Sequence, residues 1–115
     1  NATLRLFVND VVPGRGDLAD KYQEPPAEVG YKPVELRLDD WDVAISDSGE
    51  LLAKYPAQSF WFETPTSGPI PIRGHYMTVR SGQHEVVVFA ERLRRGVFEV
   101  MEAGDRIIIT PVLVG

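Results

Sequence analysis

The chain has 115 residues, 17 acidic against 12 basic side chains, a net charge of −5 and no cysteine. That length suits one domain with a real core, and the missing cysteines exclude a disulfide framework, a thiolate metal site and a cysteine nucleophile and favour synthesis in a reducing compartment. The acidic balance argues against nucleic acid as the main partner, because phosphate binding needs a basic face, and no apolar run approaches the roughly 20 residues that span a bilayer.

Asn1-Ala2-Thr3-Leu4 carries no basic region ahead of an apolar stretch, so a signal peptide is not expected. Leu4, Leu6 and Val8 alternate with Arg5 and Phe7, which predicts a strand over residues 3–8, held in a sheet or against a partner. Residues 9–32 change character: Pro13, Gly14, Gly16, Pro25, Pro26 and Gly30 punctuate the chain. Within them, residues 17–22 are expected to form one helical turn capped by Asp17. The remainder is a long loop, and a loop beyond about 15 residues in a compact domain is usually functional or disordered. Leu18, Tyr22, Val29 and Tyr31 recur along it, which predicts that it packs on something.

Short strands follow. Residues 34–38 alternate, and in 41–45 Trp41, Val43 and Ile45 oppose Asp42 and Ala44. Asp47-Ser48-Gly49 signals a turn, then 50–55 and 59–63 read as strands. After a Pro/Gly stretch over 64–71, residues 72–79 and 85–93 flank a hairpin turn at Ser81-Gly82-Gln83. Val86-Val87-Val88-Phe89-Ala90 is apolar on both faces, which predicts a central strand. Residues 92–102 are ambiguous between a strand and a short helix. Ala103-Gly104-Asp105 turns into a β-branched final strand over 106–113. About eight short strands with no sustained 3.6 period predict an all-β sandwich, jelly-roll-like or another Greek key, as a single domain over residues 1–115 with one long N-terminal loop.

Chemistry-bearing clusters are thin. His75 and His84 flank the hairpin turn, and with Glu85 or Glu91 they would match none of the spaced ligand sets of zinc. Asp39, Asp40 and Asp42 bracket Trp41 without the spacing or glycine of a calcium loop. No serine sits in a nucleophile elbow, no Gly-rich phosphate loop precedes a helix, and glutamates such as Glu63 and Glu91 occur in any sandwich. The expectation is no catalytic, cofactor-binding or metal site. Arg92, Arg94 and Arg95 read as a solvated turn or strand edge, and Arg15-Gly16-Asp17 as a turn, although some animal receptors read that tripeptide. In Phe60-Trp61-Phe62 the two phenylalanines share one face and Trp61 points the other way, to core or interface.

Several segments together carry a resemblance. They are Leu4-Arg5-Leu6-Phe7-Val8-Asn9, Leu18-Ala19-Asp20, Glu24, Gly30-Tyr31, Trp41, Asp47-Ser48-Gly49 and Phe60, then Ile72-Arg73-Gly74-His75-Tyr76-Met77-Thr78, Val88-Phe89-Ala90-Glu91-Arg92-Leu93 and Ala103-Gly104-Asp105-Arg106-Ile107-Ile108-Ile109-Thr110-Pro111. In this order they resemble a family of small virion structural proteins of tailed bacteriophages, over nearly the whole chain. Pro25-Pro26 and the arginines of 92–96 depart from the pattern. The resemblance implies a capsid decoration (cement) protein, made in the bacterial cytoplasm and seated on the virion surface. Its partners would be the major capsid protein and copies of itself, as a trimer, without nucleic acid or membrane. The alternative is a tail component that binds a receptor or glycan. The interface is expected at Leu4, Phe7, Leu18, Tyr22, Val29, Tyr31 and Trp61, with Tyr22 and Tyr31 as anchors. Phe60, Phe62, Val87 and Phe89 are expected to share the core.

Overall fold

The period-two segments do become strands. A computed structural model describes residues 1–114 and shows an all-β chain, strung as β1 (Ala2–Phe7), β2 (Val34–Leu36), β3 (Asp42–Ile45), β4 (Leu51–Lys54), β5 (Gln58–Trp61), β6 (Ile70–Ile72), β7 (Gly74–Ser81), β8 (His84–Arg92), β9 (Phe98–Val100), β10 (Arg106–Ile109) and β11 (Val112–Val114). All pairings are antiparallel. The main sheet has the order β2-β1-β7-β8; the smaller ones are β10-β5, β11-β4-β3 and β6-β9. The ambiguous 92–102 segment holds a turn and then β9, not a helix. The predicted final strand divides into β10 and β11 at Pro111, which has no N–H to donate; its carbonyl accepts from the Tyr55 N–H at 3.0 Å and steers the chain toward β4.

The turns form where glycine allows them. Ser81 pairs with His84 across Gly82-Gln83, and Gly82 has φ +63° at the first central position, the geometry that lets a two-residue loop follow the strand twist. Gly49, at φ +85°, closes the β3–β4 hairpin by donating to the Ser46 carbonyl.

The main sheet is covered on both faces. Leu4, Met77 and Phe89 stand in one cross-strand row, and Leu6, His75 and Glu91 in the next. This face meets Phe60, Phe62, Ile107, Ile109, Ile72 and Val100 from the smaller sheets in the principal core, a sandwich-like arrangement. The opposite face carries Phe7, Tyr76, Val87 and Ala90, and Tyr22 from the long loop covers it. Gly74 leaves room there: a Cβ at this position would collide with the Phe7 ring and the Glu91 carbonyl.

Two expectations are corrected at β8. It is an edge strand, not a central one, and Val86 and Val88 are exposed on it. Val87 and Phe89 do not share a face. Met77 pairs with Phe89 but Thr78 pairs with Val87, so Val88 is an extra residue on β8. Such a bulge resets the alternation, sending Phe89 to the principal core and Val87 to the loop-covered face.

Candidate interaction surface

The long loop is built into the chain. The Val8 N–H donates to the Gln23 carbonyl at 2.8 Å, and the Asn9 side chain both accepts from the Gln23 N–H and donates to the Lys21 carbonyl. The Tyr22 ring stacks on Tyr76 at 4.7 Å between centroids and meets Phe7 edge-on at 5.1 Å. Arg5, projecting from the same face, donates to Glu24, Glu85 and Thr78, so one guanidinium ties loop and sheet. Burial would lower its pKa, but the carboxylates of Glu24 and Glu85 outweigh that and raise it. The Tyr31 hydroxyl donates to Glu24 at 2.6 Å and accepts from the Leu6 N–H at 3.2 Å; burial, then the bond to Glu24, push this phenol up.

This construction corrects most of the expected interface. Leu4, Phe7, Tyr22, Val29 and Tyr31 are buried inside the chain itself. Their apolar spacing marked a packed loop, and the loop packs on its own sheet. Of the seven residues, Leu18 and Trp61 reach the surface, at 70% and 57% exposure. The Asp17 cap is also corrected. The turn is a 3₁₀ segment, Ala19–Lys21, preceded by Leu18 and without a side-chain cap. Asp17 instead accepts from the Gly14 N–H at 2.7 Å, the Tyr22 hydroxyl at 2.7 Å and the Lys21 ammonium at 3.0 Å, and these bonds hold its carboxyl down at about 2. The carboxylate of Arg15-Gly16-Asp17 is therefore committed to the chain's own loop.

His75 and His84 do not meet: His75 pairs with Glu91, and His84 with Ser81 at the hairpin turn. Among the described residues no three His, Asp or Glu side chains gather as metal ligands. Asp40 accepts from the Tyr55 hydroxyl at 3.3 Å, and Trp41 is half-buried edge-on against Tyr55 at 5.1 Å. His75 is buried, with Nε2 3.1 Å from Glu91 and Nδ1 unpartnered. If Nε2–H donates to the carboxylate, Nδ1 is a bare lone pair; protonation would create a buried N–H with no acceptor. Burial lowers the His75 pKa, and Glu91 only partly opposes it. Below the ordinary value of 6.5, the unfolded chain takes up a proton that folded His75 refuses. Stability is therefore full above that pH and falls as pH drops through it. Denaturant melts at about pH 7 and pH 5 are expected to show this loss, and His75→Leu to shrink it. An equal pH dependence in the variant would remove His75 as its source.

Some of the exposed apolar side chains lie together on the small sheets. Val43 and Ala53 face Leu113 across β3, β4 and β11, and Ile45 faces Leu51 on the same side. Val43, Ile45 and Leu51 are 59%, 74% and 51% exposed. Single exposed apolar residues are ordinary, but a contiguous set on one sheet face marks a contact surface. On the outer face of β5–β10, the Arg106 guanidinium lies 4.6 Å from the centre of the Trp61 ring. Beside it, a groove of about 490 Å³ runs between the 93–98 segment and β10, lined by apolar Leu93, Val97, Ile107 and Ile108 and by Arg94, Arg95 and Arg106. Sequence reading missed this groove because nothing in the order of residues says that 93–98 and 106–108 lie side by side; only the arginine cluster hinted at it. No protein-family model, curated protein or solved structure compared with this chain matches it.

Proposed function

We propose that the chain is a structural virion protein of a tailed phage, a cement protein that seats on the shell of the major capsid protein and stabilises it as an oligomer, a trimer. In this reading the sandwich is a jelly roll, the chain does no catalysis, and it is made in the host cytoplasm for display on the capsid surface. The resemblance described above supports the reading. The structural observation that carries it is the exposed apolar end of the β3–β4 hairpin, where Val43, Ile45 and Leu51 stand more than half exposed beyond the part of this face that Trp41, Tyr55 and Leu113 pack against the core. Covering such a face gains about 25 cal/mol per Å², less the cost of association. Many copies on a shell multiply a modest gain per site. The test is cosedimentation with empty tailed-phage shells. Saturable binding to the shell is expected, with occupancy lost in Ile45→Lys/Leu51→Lys while that variant stays folded. No binding by the wild-type chain, or equal occupancy by the variant, overturns the reading.

Exposed Trp61 favours a second reading, a glycan- or receptor-binding tail module, since a sugar ring can stack on the ring face that Arg106 leaves open. Particle images separate the two: many copies over the shell against few at one vertex.

A further inference from the structure

The arginine-lined groove has a counterpart on the same chain. Arg94, Arg95 and Arg106 are exposed, and among the described residues none forms a salt bridge; Arg5 and Arg92 are already paired. The groove walls include no carboxylate. On a chain of net charge −5, this is a cationic, apolar-floored slot without its own counter-charge.

The complementary feature is the 3₁₀ turn Leu38–Asp40 that leads into β3. Leu38 is 78% exposed at its start, and Asp39, Asp40 and Asp42 follow it, all exposed. A leucine standing in solvent among three carboxylates has no role in its own core. It has the size and charge setting to enter an apolar groove flanked by arginines. Guanidinium groups suit this partner, because they bind carboxylates through two parallel N–H donors.

The two features do not meet within one copy, since none of residues 38–42 lines the groove. The turn enters β3, at one edge of the three-stranded sheet, and β11 forms the other edge. Val112 and Val114 of β11 line a second groove that adjoins the first through shared Leu93, Arg94 and Ile108. No residue of the turn lines either groove.

We propose that the groove is the docking site for the Leu38–Asp42 turn of a second copy, with Leu38 against Val97 and Ile108 and the carboxylates of Asp39 and Asp42 on Arg94, Arg95 and Arg106. Turn and groove are different patches, so the contact is head-to-tail and leads to a ring if the rotation closes or a filament if it does not. The contact is small and charged, so association is concentration-dependent and weakened by salt. It does not rest on the shell reading, because it concerns copies of this chain with no particle present.

The test is analytical ultracentrifugation of the full chain at low salt, with circular dichroism to confirm that each variant folds. The wild type is expected to associate as concentration rises, and added salt to reverse this. Arg94→Glu/Arg95→Glu alone, and Asp39→Lys/Asp42→Lys alone, are each expected to be monomeric, as is Leu38→Lys. Mixing the two charge-reversed chains restores association, since each then offers a surface that the other matches. The chain carrying all four charge reversals also associates. A wild type that stays monomeric throughout, reversed variants that associate like the wild type, or a mixture that stays monomeric overturns the proposal.

Discussion

Replacing Tyr22 and Tyr31 together by alanine brings the chain to the edge of unfolding. Each ring is buried, at 6% and 8% exposure. Tyr22 belongs to the cluster with Phe7 and Tyr76, Tyr31 to the principal core, where it stacks near Phe60. Removing a buried aromatic ring costs about 3–5 kcal/mol. The Tyr31 change also strips a donor from Glu24 and an acceptor from the Leu6 N–H, and a buried group left without its partner carries its own penalty. The rings sit in different clusters but hold the same loop, and Glu24 links Tyr31 to Arg5 on the Tyr22 side of the sheet, so the double variant also reports the coupling between the two losses. Domains of this size hold roughly 5–15 kcal/mol in all. Denaturant melts of both single variants and the double variant measure this directly. A double variant that melts close to the wild type would mean that the loop is detached in solution.

What sequence reading reached and what it missed have a common physical origin. Alternation is local, so the strands, the hairpin at Gly82 and the turn at Gly49 were legible from neighbouring residues. The same signal fails wherever a third element decides the outcome. The apolar run 86–90 has the pattern of a central strand, but the loop covers the inner residues Val87 and Ala90, and beyond β8 the sheet continues only as a single bridge from Leu18 of the loop to Val86. The bulge at Val88 leaves no mark in composition. The spacing of Tyr22 and Tyr31 says that they must be covered, but nothing in the order of residues says whether the cover is the chain's own sheet or a partner. The type and place of Asp17 fit a helix cap, yet Tyr22, Gly14 and Lys21 supply its bonds. The arginine groove needed residues 93–98 and β10 side by side, and Leu38 only stands out once its exposure is known. The binding surface is thus a property of what the fold leaves uncovered, which a period-two pattern does not encode.

Adjacent substitutions at Phe62 and Trp61 are expected to differ sharply. Phe60, Trp61 and Phe62 are consecutive, and extended chain sends neighbours to opposite sides. Phe60 and Phe62 are each 3% exposed in the principal core, while Trp61 is 57% exposed on the outer face. Backbone bonds also fix Phe62: its N–H donates to the Asp105 carbonyl at 2.9 Å, and its carbonyl accepts from the Gly104 N–H at 3.0 Å. The Asp105 carboxylate in turn accepts from the Met101 and Glu102 N–H groups, which lowers its pKa and tightens the turn that Phe62 rests on. With the backbone held on both sides, the site has little freedom to collapse around a missing ring. Phe62→Ala is therefore expected to cost about 3–5 kcal/mol. Trp61→Ala loses chiefly the stacking of Arg106, worth about 0.5–1 kcal/mol at an exposed site. Guanidinium melts of the two variants read both values, provided the slope with denaturant stays that of the wild type. Equal losses would place both rings in the core and break the alternation. A large loss at Trp61 with none at Phe62 would mean that β5 is registered one residue out against β10, turning Trp61 inward and Phe62 to solvent.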